Sequence, residues 1–169
     1  MEREEVVSVE DQGTNQPPGI TLRPFHLSDF DDFLGSSTLL TTKTDSCLIY
    51  GVGPSASKTR PIGAISVSQE SAENSRHRAS IGYVLAPGHW GRGIAARAVK
   101  MVVSAVFDEV PLLQRLEAVA DVENPASQRV LEKAGFVREA VLRKYFVLKG
   151  RARDVVMHSF LSSDSKRLD

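Results

Sequence analysis

A strand, a glycine-rich turn and an amphipathic helix follow one another between Ile81 and Val106, and this segment constrains the fold more than any other. The turn, Pro87-Gly88-His89-Trp90-Gly91-Arg92-Gly93, contains three glycines, which let a backbone approach a ligand without a clash from Cβ. Apolar residues then recur at spacings of three and four, which predicts a helix with one buried face. Those residues are Ile94, Ala95, Ala98, Val99, Val102, Val103 and Val106.

The start of this helix is a predicted anion site. The first amides of a helix have no partners within the helix and carry the positive end of its dipole, so a phosphate or pyrophosphate binds well there. The Gly-Lys-Ser/Thr of a P-loop is absent, and so is G-x-G-x-x-G, although Gly91 and Gly93 form a G-x-G. From the turn alone, a plain glycine turn between packed elements is an equal alternative.

Short or alternating apolar runs predict strands on both sides of this segment. They are Ile20 to Leu22, Leu48 to Val52, Pro61 to Gln69, Ala79 to Ala86, Leu112 to Ala120, Phe136 to Leu148 and Asp154 to Leu161. Asn124-Pro125 has the order of a helix cap and a first helical residue, and Gly135 is suited to end that helix. We therefore predict an α/β (α+β) fold with a mixed sheet of six or seven strands flanked by helices.

The chain length of 169 residues corresponds to one domain. We predict a flexible segment over residues 1–18, a domain over 19–162 and a polar tail over 163–169. The single cysteine excludes a disulfide framework and a Cys-rich zinc site, and the four histidines show no ligand spacing, so no metal is predicted.

Charge and hydropathy restrict the partners of the protein. Lys plus Arg and Asp plus Glu both number 21, which disfavours a nucleic-acid binder. No apolar run approaches the ~20 residues of a membrane helix, and the acidic first eleven residues are unlike an export signal. We expect a cytosolic or nuclear protein, monomeric or homodimeric, with no membrane partner.

Residues downstream of the glycine turn point to a family. Glu117, Glu123-Asn124-Pro125-Ala126-Ser127 and Leu131-Glu132-Lys133-Ala134-Gly135-Phe136 together resemble the GNAT superfamily of acetyl-CoA-dependent N-acetyltransferases. The most similar branch includes ribosomal-protein N-terminal acetyltransferases and uncharacterised plant proteins. The hallmark Gln/Arg-x-x-Gly-x-Gly/Ala stands here as Trp90-Gly91-Arg92-Gly93-Ile94-Ala95, with Trp90 in place of the usual first residue. The resemblance covers Thr21 to Pro24 and Pro61 to Leu161.

The resemblance implies a GNAT-type, mostly antiparallel sheet and acetyl-CoA as the acetyl donor. It implies that the main chain of Tyr83, Val84 and Leu85 pairs with the pantetheine arm, and that an amide near Val84 holds the thioester oxygen. Asn124 matches a residue that contacts the arm, besides its role as a cap. The amides implied for the pyrophosphate are those of Gly91, Arg92, Gly93, Ile94, Ala95 and Ala96.

Two residues match catalytic groups of N-terminal acetyltransferases. Glu117 matches a base that removes the proton of the amine, and Tyr145 matches a tyrosine that protonates the leaving thiolate. An exposed strand carboxylate and a half-buried strand aromatic are the structural alternatives for these two residues. The expected acceptor is a protein N-terminus or peptide amine, with a small amine such as a polyamine next.

The sequence departs from the family between its first two strands, where residues 33–47 replace two longer helices. This shortening leaves open a non-catalytic acetyl-CoA-binding or interaction protein. A nucleotide-binding regulatory domain is a further alternative. RNA binding through a basic final hairpin is another, with the residues Arg138, Arg143, Lys144, Lys149, Arg151 and Arg153.

Overall fold

The computed structural model describes residues 20–24, 47–54, 61–69 and 72–167, and seven strands form one sheet. The strands are β1 (Ile20–Pro24), β2 (Cys47–Pro54), β3 (Gly63–Gln69), β4 (Arg78–Leu85), β5 (Arg115–Asp121), β6 (Val137–Leu148) and β7 (Arg151–Leu161). The helices in this part of the chain are α1 (Ile94–Glu109) and α2 (Pro125–Lys133). The predicted fold class is confirmed. The predicted segment 1–18 and all but the end of the shortened segment 33–47 lie outside the described residues.

The strands lie in the order β1-β2-β3-β4-β5-β7-β6, and every neighbouring pair is antiparallel except β4 and β5. These two central strands are parallel because helix α1 connects them as a crossover. They pair at three positions, Arg78 with Arg115, Ala79 with Leu116 and Ser80 with Glu117. Beyond Ser80 and Glu117 both strands continue without pairing to each other, which opens a gap in the middle of the sheet.

Both helices pack on one face of the sheet, α1 against β1, β3 and β4, and α2 against β5 and β6. The apolar stripe predicted for α1 is buried over most of its length, with Val99, Val102 and Val103 fully enclosed. Phe160 of β7 joins the two halves of the core, because its ring lies 5.9 Å from that of Phe107 and 5.5 Å from that of Phe136.

Turn residues set the ends of α2 and of the last hairpin. Gly135 has φ 95° and ends α2 as predicted, with the amide of Phe136 donating back to the carbonyl of Leu131. Strand β7 begins at Arg151, three residues before the predicted start, because Lys149 and Gly150 both adopt left-handed conformations and close a two-residue turn. A 3-10 helix, Ser162–Arg167, begins at the last residue of the predicted domain and continues into the predicted polar tail.

Candidate functional site

The glycine turn places the start of α1 next to the open end of β4. Gly91 and Gly93 have φ of 74° and 73°, and a Cβ added to either would meet no atom within 4 Å. Gly93 is the N-cap of α1, so this helix start has no side-chain cap, and its first turn contains no acidic residue. The helix start therefore has the open backbone that the predicted anion site requires, and the binding itself stays a prediction. Arg92, Ile94, Ala95 and Ala96 contribute the neighbouring amides.

The edge of β4 beside the gap has main-chain groups that point away from β3. The Ala86 amide donates to the Ile62 carbonyl at 2.8 Å, and bonded pairs alternate along antiparallel strands. The carbonyl of Ile81 and the amides and carbonyls of Tyr83 and Leu85 consequently face the gap, whereas Val84 bonds to β3. This corrects the expectation that the Val84 main chain pairs with the cofactor or holds the thioester oxygen. Tyr83 and Leu85 have the orientation that such pairing requires.

Tyr83 also connects β4 to the start of α2. Its hydroxyl donates to the Ser127 carbonyl at 2.9 Å and lies 2.7 Å from Ser127 Oγ. Burial raises the pKa of the Tyr83 phenol above 10.0 and outweighs the opposing effect of the hydrogen bond with Ser127. The phenol is therefore protonated at neutral pH and is a potential proton donor on the helix side of the gap.

Asn124 acts as the predicted helix cap. Its Oδ1 accepts a hydrogen bond from the Ser127 amide at 3.1 Å, and Pro125 follows as the first residue of α2. The Asn124 side chain is held at the open end of β5 by this bond. Its amide group is the part that remains suited to a ligand carbonyl, because Oδ1 already serves the helix.

Glu117 belongs to a row of charges on the face opposite the helices. Its Oε1 accepts from Arg115 Nε at 2.7 Å and lies 4.0 Å from Arg78 Nη1. The two terminal nitrogens of Arg115 bind both oxygens of Glu139, at 2.9 and 2.6 Å. Ser159 Oγ donates to Glu139 Oε1 at 2.6 Å. The Arg115 guanidinium is thus shared between two carboxylates.

These contacts affect the titration of the row. The hydrogen bonds from Arg115, followed by that from Ser159, lower the pKa of Glu139 from 4.5 to about 2. The same two carboxylates raise the pKa of Arg115, with the bond to Glu139 as the largest cause. Glu139 and Arg115 therefore stay charged at neutral pH. Glu117 lies at the closed end of the gap, where β4 and β5 last pair.

Tyr145 is not brought together with Glu117. It lies on the edge strand β6 with 53% of its surface exposed, and β7 separates β6 from β5. Neighbouring strands are about 4.8 Å apart, so β6 runs about 10 Å from β5. The role predicted for Tyr145 stays a prediction.

Arg115, Glu139 and the contact of Ser127 with Tyr83 were not predicted from the sequence. Arg115 precedes Glu117 by two positions on a strand, and side chains at that spacing share a face, so this contact had a local signal. The other two contacts had no local signal, because Glu139 lies 24 residues from Arg115 and Ser127 lies 44 residues from Tyr83.

Part of the basic hairpin is neutralised. Arg153 Nε lies 2.7 Å from Asp121 Oδ2, and its Nη2 lies 2.6 Å from Glu123 Oε2. The hydrogen bond from Arg153 is the largest cause of a lowered pKa at Asp121. This pairing reduces the positive charge that the RNA-binding alternative requires.

The described residues contain neither a metal-binding cluster nor a membrane-spanning helix. No group of three or more His, Cys, Asp and Glu side chains in these ranges is arranged to hold a metal ion. No helix in this part of the chain is long and apolar enough to cross a membrane.

The chain matches a known protein family over most of the described site. The sequence profile of the acetyltransferase (GNAT) domain matches residues 37–137, which is more than half of the chain. The protein belongs to the GNAT family. The match includes the glycine turn, both helices, Arg115 and Glu117, whereas Glu139 and Ser159 of the charged row lie beyond it.

Several bacterial N-acetyltransferases are similar in sequence. An uncharacterized N-acetyltransferase, p20 of Bacillus licheniformis, is 38% identical over 61% of this chain and 56% of its own length. YoaA of Bacillus subtilis, also named an uncharacterized N-acetyltransferase, is 40% identical over 50% of this chain and 47% of its own length. The spermidine N(1)-acetyltransferase of Vibrio cholerae is 34% identical over 47% and 46%. This chain spans about half the length of these relatives.

Two solved structures illustrate the shared fold. The microcin C7 self-immunity acetyltransferase MccE, in complex with acetyl-CoA and AMP, superposes with a TM-score of 0.60 at 25% identity, over 69% of this chain and 62% of that one. Mycobacterium smegmatis RimJ, in complex with CoA-disulfide, gives a TM-score of 0.69 at 20% identity, over 89% and 88%.

Proposed function

We propose that this protein binds acetyl-CoA in the gap between β4 and β5 and transfers the acetyl group to a primary amine. The observation that carries the proposal is the continuous path from the uncapped start of α1 to the outward-facing main chain of β4. From Leu85 back to Ser80, where the pairing with β5 ends, the strand extends about 17 Å at about 3.3 Å per residue. An extended arm held there reaches the end of the gap where Glu117 lies.

Each part of the path matches one part of acetyl-CoA. The amides of residues 91–96 and the dipole of α1 suit the pyrophosphate. The groups of Tyr83 and Leu85 suit the amides of the pantetheine arm, in the manner of an added strand. An outward amide of β4 stabilises the negative charge that develops on the thioester oxygen.

The chemistry requires a neutral amine, because its lone pair attacks the thioester carbon as the carbon–sulfur bond breaks. We propose that Glu117 accepts the proton that the amine loses, directly or through water. The Tyr83 phenol, held by Ser127, is the donor we propose for the coenzyme A thiolate, since it lies beside the gap and is protonated at neutral pH.

For the acceptor we propose the α-amine of a peptide or protein. An α-amine has a pKa of about 7.7–8.0 against about 10.4 for lysine, so a carboxylate needs to do little to deprotonate it. The row beside the gap contains two guanidinium groups, Arg78 and Arg115, and two carboxylates, Glu117 and Glu139. A polyamine with several positive charges requires an excess of carboxylates, which this row lacks.

Thermal unfolding with acetyl-CoA, coenzyme A or ATP tests the donor site. A ligand at ~100 times its dissociation constant adds about 2.7 kcal/mol, or about 5–10 °C for a chain of this size. We expect a shift with acetyl-CoA and coenzyme A and none with ATP. A shift with ATP and none with acetyl-CoA favours the nucleotide-binding alternative. The absence of a shift with any of the three ligands contradicts the proposal.

Two glycines give a matched pair of variants for this site. Gly93 and Gly150 have φ of 73° and 74°, and an added Cβ meets nothing at either. Alanine costs each about 1–2 kcal/mol of folding free energy because both are left-handed. We expect Gly93→Ala to abolish the acetyl-CoA shift, since its Cβ enters the space for the pyrophosphate, and Gly150→Ala to retain it. Equal shifts in both variants contradict a site at this turn.

Turnover separates the enzyme from a non-catalytic binder. Release of coenzyme A is measured with peptides that have free or blocked N-termini, and with spermidine. We expect turnover with free N-termini and none with blocked ones. If the protein shows the thermal shift but turns over no amine, it is the non-catalytic alternative. If it prefers spermidine to the peptides, the acceptor is a polyamine and not an α-amine of a peptide.

A further inference from the structure

Trp90 makes a specific main-chain contact although most of its side chain faces solvent. Its indole Nε1 donates to the carbonyl of Leu85 at 2.7 Å, while 65% of the residue is exposed. An exposed indole gains little from burial, so this hydrogen bond is the main feature that fixes its orientation. The contact spans five residues and runs from the glycine turn back to the strand.

The Leu85 carbonyl occupies a distinctive position. It is the last acceptor of β4 that points toward the gap, because the Leu85–Gly63 pair does not exchange hydrogen bonds with β3. Because the Trp90 indole donates a hydrogen bond to this carbonyl, the row of main-chain groups available to an extended ligand ends at the Leu85 amide. The next contacts that a ligand meets are the amides of the glycine turn.

The turn has few other attachments to the strand. Its own backbone bonds, His89 to Ala86 and Trp90 to Pro87, are local and hold only the 3-10 turn before it. Gly91 and Gly93 add flexibility, and a Cβ at either position would touch nothing. The indole bond therefore ties the turn directly to the end of β4, in addition to the packing of α1 on the sheet.

We infer that Trp90 is a positioning residue that holds the glycine turn in register with β4, so that one ligand can use both the strand edge and the helix start. This inference rests on the proposed binding of acetyl-CoA. Trp90 acts through the turn and touches none of the reacting atoms. Substitution of Trp90 is therefore expected to weaken the binding of the donor and to leave the rate of the chemical step unchanged.

Trp90→Phe is the test, because it keeps a ring and removes the N–H. One hydrogen bond corresponds to about a 3- to 10-fold change in an equilibrium constant. We expect KM for acetyl-CoA and Kd for coenzyme A to rise by about that factor, while kcat at saturating acetyl-CoA and KM for the amine stay within about 2-fold. Leu112→Ala is the control, since Leu112 is similarly exposed at 69% and lies beyond the other end of α1.

The wild-type protein reports binding independently of turnover, because Trp90 is its one tryptophan. A change of its emission on titration with coenzyme A gives Kd, and calorimetry gives the Kd of Trp90→Phe. If the wild type binds no coenzyme A, the proposed function fails and the inference fails with it. If the wild type binds and Trp90→Phe binds equally well, the inference alone is wrong. A fall in kcat at unchanged KM also overturns it.

Trp90→Gln is a second variant in case Trp90→Phe folds poorly. It restores an N–H donor on a side chain without a ring. If Trp90→Gln binds coenzyme A more tightly than Trp90→Ala does, the hydrogen bond is supported as the cause. If Trp90→Gln and Trp90→Ala lose the same affinity, the hydrogen bond is not the cause.

Discussion

Two tyrosines are candidates for the group that protonates the leaving thiolate. Tyr83 lies at the gap with its hydroxyl on Ser127, and Tyr145 lies on the edge strand, two strands from β5. The family resemblance favours Tyr145, whereas the contacts favour Tyr83. The choice between them depends on single oxygen atoms, so substitutions to phenylalanine can decide it.

We expect Tyr83→Phe to lower kcat by about 100-fold, which is typical of a lost general acid. Tyr145→Phe is expected to change kcat by less than about 2-fold. Both are measured with the same peptide at saturating acetyl-CoA, and the basic limb of the pH profile should disappear only in Tyr83→Phe. A large loss in Tyr145→Phe alone returns the role to Tyr145.

The pairing of β3 with β4 determines where the free edge of β4 lies. Gly63 of β3 is buried, and a Cβ there would lie 2.6 Å from the carbonyl oxygen of Val84 and 2.9 Å from Leu85 Cδ1. Backbone atoms cannot move aside as a flexible side chain can. Glycine at this position therefore allows the close approach of the two strands.

Gly63→Ala is expected to lower the free energy of unfolding by about 1–3 kcal/mol, the usual cost of overpacking. Gly82→Ala, on the facing strand, is the control, because its Cβ would lie 3.4 Å from the Ser66 hydroxyl, which can rotate. We expect that variant to stay within about 0.5 kcal/mol of the wild type. Urea denaturation of both measures the difference, and equal stability of the two contradicts the close approach.

The helices and strands could be predicted from the sequence where the residues that determine them lie close together in the chain. The Asn124-Pro125 cap, the Gly135 end and the three- and four-residue spacing of α1 act within a few residues, and the structure has all of them. The Tyr83–Ser127 and Arg115–Glu139 contacts join distant parts of the chain, and no local pattern encodes them. The orientation of Val84 depends on the register with β3, which the alternation of one strand does not define.

The stability of the whole molecule depends on pH through a buried histidine. His158 has 0% exposure, its Nε2 is buried without a hydrogen-bond partner among the described residues, and its Nδ1 lies 3.3 Å from the Val156 carbonyl. Burial lowers the pKa of His158 below 6.5 more than its polar neighbours raise it. The folded protein therefore holds this side chain neutral.

Acid should consequently destabilise the fold. Above pH 6.5 the imidazole is neutral in both states and has no effect. As the pH falls below 6.5 the unfolded chain binds the proton first, so stability falls until the pH reaches the lower folded pKa. The loss is at most about 1.4 kcal/mol per pH unit. Unfolding free energies at pH 7.5 and 5.5 should differ less in His158→Leu than in the wild type or in the exposed His77→Asn.

The gap in the sheet also has a consequence for hydrogen exchange. Along the open part of β4, the amide protons of Gly82 and Val84 are bonded to β3 and that of Ile81 is bonded to β5, whereas those of Tyr83 and Leu85 point into the gap. Neighbouring protons on one strand thus belong to two populations, one protected by the fold and one that only a bound molecule can protect. Slow and fast exchange should alternate residue by residue in the free protein, and a strand-like ligand should remove the alternation while the chain itself keeps its conformation.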